Sequence, residues 1–180
     1  MLEIVVPEQD LFDDDTQEFL TVKETRLQLE HSLISLSKWE SSHVKPFLGK
    51  YDKTREEILD YIKDMTLTRN VDDKVYAALT EENFAEINTY ISAPMTATTF
   101  HETNGPKGRS ETITSELIYY WMISQNIPME CQKWHLNRLI TLIRVCSIKN
   151  APPKKQNTRS LAAQRRALNE QRRRELGTSG

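Results

Sequence analysis

A chain of 180 residues, 38% hydrophobic and 28% charged, is long enough to bury one core and is composed like an ordinary soluble domain. No uncharged run approaches the roughly 18–20 residues of a membrane span, and the start MLEIVVPEQD is too short and acidic for a signal peptide. The net charge of −2 conceals an asymmetry: residues 151–180 hold eight Lys and Arg against two Glu, a net of +6, which leaves −8 on residues 1–150. An acidic body with a basic tail points to an acidic partner for that tail: nucleic acid, the body of a second copy, or another protein.

Leu2, Ile4 and Val6 alternate with Glu3, Val5 and Pro7, the pattern of a half-buried strand. Residues 13–17 (DDDTQ) read as a turn. Glu18 to Glu30 returns as extended structure, with Phe19, Leu20 and Val22 and then Leu27 and Leu29 at period two. The expectation over residues 1–31 is a small antiparallel meander of two or three strands, which needs a second layer to be stable.

Helical spacing begins at Ser32, with Leu33, Leu36 and Trp39 about one turn apart and Pro46 closing the segment. KPFLGKYD (residues 45–52) reads as a loop. Thr54 and Glu57 form a capping box ahead of Ile58, Tyr61, Ile62 and Met65. Asp72 caps a short helix with Val75, Tyr76 and Leu79, and Thr80 another with Phe84, Ile87 and Ile91. Residues 94–110 have turn composition and little periodicity, which predicts a loop.

Ile113 to Lys149 holds two of the three tryptophans and reads as the core, an antiparallel helical pair. The first helix has its apolar side at Ile113, Leu117, Tyr120, Trp121 and Ser124. Asn126 ends it in the left-handed conformation, and Pro128 suits the first turn of the second. The second has its stripe at Leu136, Leu139, Ile140, Ile143 and Cys146. Cys131 and Cys146 then share one helix, about 22 Å apart, and are free thiols of a reducing compartment. Pro152-Pro153 ends the domain, and residues 151–180 form a basic tail, disordered or helical on binding. The fold class is α+β, predominantly α: the meander, five to six helices over residues 32–150, and the tail.

Chemistry is sparse. Gly49-Lys50 lacks the glycine spacing of a phosphate loop. Cys131 and His135, four apart, would need two more metal ligands from His31, His43, His101 or carboxylates, none at a recognisable spacing. A core cysteine and a hydrogen-bonded histidine account for them better. Asp13-Asp14-Asp15 reads as an exposed acidic turn, and Trp121, Trp134, Tyr119 and Tyr120 as core packing. The sequence therefore predicts no catalytic site, cofactor or metal. The tail stands out: Arg165, Arg166, Arg172, Arg173 and Arg174 as electrostatic anchors, with Leu161 and Leu168 as the apolar side. The lack of interleaved aromatics and the acidic body argue against nucleic acid and for a protein partner.

Two stretches, SLISLSKWESSHVKPFLGKYDKTREEILDYIKDM (residues 32–65) and SELIYYWMISQNIPMECQKWHLNRLITLIRVCSIKNAPPKK (residues 115–155), resemble small proteins of tailed-phage structural gene clusters, the tail assembly chaperones and associated morphogenesis proteins. KPFLGK, ECQKWHLNRL and KNAPPKK carry the likeness most specifically. The resemblance implies a non-enzymatic protein of the infected bacterial cytoplasm that binds the tape measure protein, keeps it soluble and helps recruit tail-tube subunits. The alternatives are a head–tail connector or completion protein retained in the virion, and a nucleic-acid-binding module acting through the tail. Self-association is compatible with each.

Overall fold

The alternating residues at the start of the chain form the first element of the computed structural model, which describes residues 1–13, 18–100, 112–152 and 158–177. Strand β1 (Leu2–Val6) pairs antiparallel with β4 (Thr25–Leu29), and β2 (Gln9–Asp13) with β3 (Glu18–Val22). One register runs through both pairs, from Leu2 opposite Leu29 to Asp13 opposite Glu18. The antiparallel region is therefore a single two-armed hairpin. Pro7 sits in the gap between the paired stretches, where its missing N–H breaks no ladder bond. Ile4, Val6, Leu27 and Leu29 turn inward and are fully buried. Thr66 bridges to Leu29, and the Leu67 N–H donates to the Gln28 carbonyl at 2.7 Å, lining the β4 edge. The turn expected over residues 13–17 lies, from residue 14 on, outside the described residues.

Among the described residues six α-helices follow in the body, so the architecture is α+β and predominantly α: α1 (Leu33–His43), α2 (Arg55–Met65), α3 (Asp73–Ala77), α4 (Glu81–Ser92), α5 (Ser115–Ser124) and α6 (Leu136–Asn150). The caps read from the sequence are in place. Thr54 Oγ1 accepts the Glu57 N–H at 3.2 Å while Glu57 Oε2 accepts the Thr54 N–H at 3.0 Å. Asp72 caps α3, and Thr80 forms a reciprocal box with Asn83 on α4. Ser32 and Ser35 make the same box on α1, and Val44 ends that helix in the left-handed region.

Two hydrophobic clusters fill the body, and α1 is the helix with fully buried side chains in both. Leu33 and Leu36 join Ile118, Met122, Leu136 and Leu139 in one cluster. Trp39 joins the inward hairpin residues and Tyr61, Ile62 and Ile87 in the other. The centre of the body is thus α1, not the stretch Ile113–Lys149, which supplies only one cluster. Two buried polar contacts fix α1 between them. The Trp39 indole N–H donates to the Glu57 carbonyl at 2.8 Å. The Glu40 carboxylate, 8% exposed, accepts the Phe47 N–H at 2.8 Å on one oxygen and the Ser115 N–H at 2.7 Å on the other.

The last contact also sets the rotation of α5. With Ser115 held at Glu40, the buried side is Ser115, Ile118 and Met122, whereas Tyr120 and Ser124, expected inside, are exposed. SELIYYWMIS is apolar on nearly every side, so periodicity alone leaves its inner face open. The hairpin expected for α5 and α6 does not form. Gln125 Nε2 donates to Ser147 Oγ at 2.9 Å, which sets the end of α5 beside the last turns of α6. Pro128 leads into a short 3-10 helix (Met129–Lys133), and α6 starts only at Leu136. The reason is a long-range bond joined to a local one: the Leu136 N–H donates to the His31 carbonyl at 2.7 Å, and His135 Nδ1 accepts the Asn137 N–H at 3.3 Å. Cys131 and Cys146 consequently lie on different elements, both as free thiols. No helix among the described residues is long and apolar enough to cross a membrane.

By its contacts the chain divides into residues 1–148 and 149–180. In the second unit Thr158–Leu176 form α7, rich in strong helix formers and carrying a Gln171–Glu175 side-chain bond of 3.1 Å.

Two predictions concern the body. Glu40→Ala strands two buried N–H groups and is expected to cost about 3 kcal/mol in urea denaturation. Glu40→Gln does not rescue it, because the amide nitrogen faces one of those N–H groups; recovery by Gln would contradict the two-acceptor role. The second concerns His31, fully buried and hydrogen bonded to the Tyr61 hydroxyl at 2.6 Å. Burial, with His135 beside it, holds its pKa down at about 4. Unfolded, it titrates near 6.5. Above that pH its contribution is fully present. As pH falls from 6.5 toward 4, only the unfolded chain binds the proton, and stability drops by on the order of 3 kcal/mol. His31→Gln is expected to flatten the denaturation free energy over that window relative to wild type, and identical slopes would refute the assignment.

Candidate functional site

The arginines singled out in the sequence all lie on α7. Arg165, Arg166, Arg172, Arg173 and Arg174 are exposed, as is Leu168. Leu161 also falls within α7, with its side chain outside the described residues. At about 100° per residue, Arg165, Leu168 and Arg172 fall within roughly 60° of one another. Arg165 and Arg172 therefore share the side of Leu168, whereas Arg166, Arg173 and Arg174 lie about 120° or more from it. The pattern behind this is a seven-residue repeat, LAAQRRA followed by LNEQRRR (residues 161–167 and 168–174), against the expectation of no internal repeat. It was visible as the recurring Leu-x-x-Gln-Arg-Arg spacing. Such a side offers apolar contact and guanidinium forks together, suited to a surface that mixes apolar and carboxylate groups.

The body holds a second surface that residue type alone did not reveal. A groove of about 540 Å³ lies between α2, α4 and the segment after α1. Its α2 wall is Ile58 and Ile62, and its α4 wall is Phe84, Ile87 and Ile91. Ile58, which reads as core by spacing, is 39% exposed there. Phe47 and Tyr51 form the loop wall. Phe47 stacks on Tyr61 with ring centroids 3.8 Å apart. Lys53 Nζ lies 4.5 Å from the Phe47 ring centroid and 5.0 Å from that of Tyr51, a cation held over aromatic faces.

Local sequence explains why the loop folds this way. The Gly49 N–H donates to the Pro46 carbonyl at 2.9 Å, and a Cβ at Gly49 would sit 2.9 Å from that carbonyl oxygen and 3.0 Å from the Tyr51 ring. The glycine is needed for a close approach of backbone and ring. Lys45 reaches back to Glu57 at 2.5 Å, tying the same segment to the start of α2. Hydrogen bonding to Lys45 pulls the Glu57 carboxyl below its usual range, and the same bond raises the Lys45 ammonium.

The residues considered for metal or nucleophilic chemistry are occupied otherwise. His135 Nδ1 accepts a backbone N–H, so Nε2 carries the hydrogen and donates to the Tyr90 carbonyl at 3.0 Å. Burial lowers the His135 pKa, which keeps the ring neutral. Cys131 is buried in the cluster around Ile118 and Met122. His31 and His135 meet edge to face at 5.1 Å between ring centroids. Among the described residues, no three His, Cys, Asp or Glu side chains are grouped to hold a metal ion. Trp121 and Trp134 pack partly buried against that cluster, with the Arg138 guanidinium 4.2 Å from the Trp134 ring centroid. Tyr120, expected with them, faces solvent.

Compared with known protein families, curated proteins and solved structures, the chain matches none.

Proposed function

We propose that this chain is a non-enzymatic protein that holds another polypeptide, of the kind represented by phage tail assembly chaperones. In that role it binds the long helical tape measure protein in the cytoplasm of the infected bacterium and aids tail-tube assembly. The observation that supports the reading is α7, a helix whose one side joins Arg165 and Arg172 to Leu168 on a chain otherwise strongly acidic. Carboxylates and apolar side chains on a partner helix satisfy such a side together, and the arginines act as anchors that ordinary salt weakens but does not abolish. The named partner comes from the resemblance of residues 32–65 and 115–155 to that class.

The test is co-expression with the tape measure protein of the same gene cluster, scored by solubility and co-purification. Wild type is expected to keep the partner soluble and to co-purify with it. Changing Arg165, Arg166, Arg172, Arg173 and Arg174 together to Glu is expected to cut recovery by about tenfold or more. An insoluble partner that never co-purifies would reject the reading. Stoichiometric recovery of this chain from purified virions would replace it with a head–tail connector or completion protein. DNA binding that vanishes on removing residues 156–180 would favour a nucleic-acid module.

A further inference from the structure

We infer that the groove between α2 and α4 seats an amphipathic helix of another polypeptide, one with acidic residues flanking its apolar stripe. The inference rests on the polypeptide-holding reading for the class of partner and on different residues for the site. Buried Ile62 and Ile87 lie at the floor of the groove, and its opposite walls rise to Ile58 on α2 and to Phe84 and Ile91, seven apart, on α4. Side chains on two such walls are the ridges between which a third helix packs, and an apolar helix face in such a channel is a recurrent mode of peptide recognition. Ile58, Phe84 and Ile91 are incompletely covered, although helical spacing places them with the core.

Charge selects the occupant. The charged groups lining the groove are Asp52, Lys53 and Arg55, a net positive rim on a body that carries −8. Lys53 is held over two aromatic rings beside the apolar floor, and Arg55 is exposed at the start of α2. A helix with carboxylates beside its apolar stripe gains from both. The arginine side of α7, from this chain or a second copy, would set like charges against them and is a poor fit.

The experiment uses the full chain and two fluorescein-labelled amphipathic peptides with the same Leu/Ala stripe, one flanked by Glu and one by Lys, read by anisotropy. The Glu peptide is expected to bind at least about tenfold more tightly than the Lys peptide, and Ile58→Glu to weaken it by about tenfold or more. Arg55→Glu, at an exposed position, is expected to narrow or reverse the preference, and it keeps the test open should circular dichroism show Ile58→Glu unfolded. Equal binding of both peptides would overturn the inference, as would loss of binding only in the α7 arginine variant. Self-association of the protein that Ile58→Glu abolishes would assign the groove to a second copy instead. Undiminished co-purification of the tape measure protein with Ile58→Glu would sink the groove and leave the chaperone reading standing. Groove-dependent peptide binding with no co-purification would do the reverse.

Discussion

The body depends on burying one short helix from two directions. In α1, Leu33, Leu36 and Trp39 are fully covered, the leucines within the cluster that holds Ile118 and Met122 and the tryptophan within the one that holds Tyr61 and Ile62. Each large side chain removed from water is worth about 2–3 kcal/mol, so this helix supplies a large part of what holds the two clusters together. Lys38, Ser41 and Ser42 keep one side of α1 in solvent, but polar groups on its covered side have no water to bond. Its sequence answers with bonded polar residues: Ser32 and Ser35 close the start, and Glu40 closes the end by accepting the N–H of Phe47 in the following loop and that of Ser115 on α5. Those contacts carry specificity as well as stability, since an apolar residue at position 40 would leave α5 without a fixed rotation.

A polar seam runs beside α1 and gives the body its second constraint. His31 meets Tyr61, His135 meets the Tyr90 carbonyl, and the Tyr90 hydroxyl donates to Glu30 at 2.6 Å. Each group in this chain of contacts is partnered, which is the condition for a buried polar network to be tolerated. Both imidazoles are neutral, so the seam carries no buried cationic pair. His135 serves twice, capping α6 and docking α4, which removes it from the pool of groups available for metal or acid–base chemistry.

The surfaces left for function follow from that arrangement. With α2 and α4 each committed to the Trp39 cluster through Tyr61, Ile62 and Ile87, their outer rows cannot also be covered, and Ile58, Phe84 and Ile91 border an open channel. The loop that closes one end of it depends on Gly49 and on the Lys45–Glu57 pair. The arginine helix α7 is a separate unit with a separate logic, in which charge dominates and the apolar content is too small to drive packing alone. Under the proposed readings, both surfaces would take a helix bearing carboxylates.

The sequence by itself determined the elements that local chemistry specifies. The Thr54–Glu57 box, the Asp72 and Thr80 caps, the left-handed Asn126 and the period-two strands are each written in residues a few positions apart, and each is where the spacing put it. The seven-residue repeat of α7 is equally local. Tertiary structure alone decided which faces turn inward. On α5 nearly every side is apolar, and the contacts that turn Ile118 and Met122 inward rather than Tyr120 are long-range ones, the bond from Ser115 to Glu40, 75 residues away, and the packing with Leu33 and Leu36. The break before α6 likewise depends on the His31 carbonyl, and Ile58 borders a groove whose other wall comes from α4. Spacing fixes the period of a helix; rotation and partner are set by long-range contacts that no window of sequence contains.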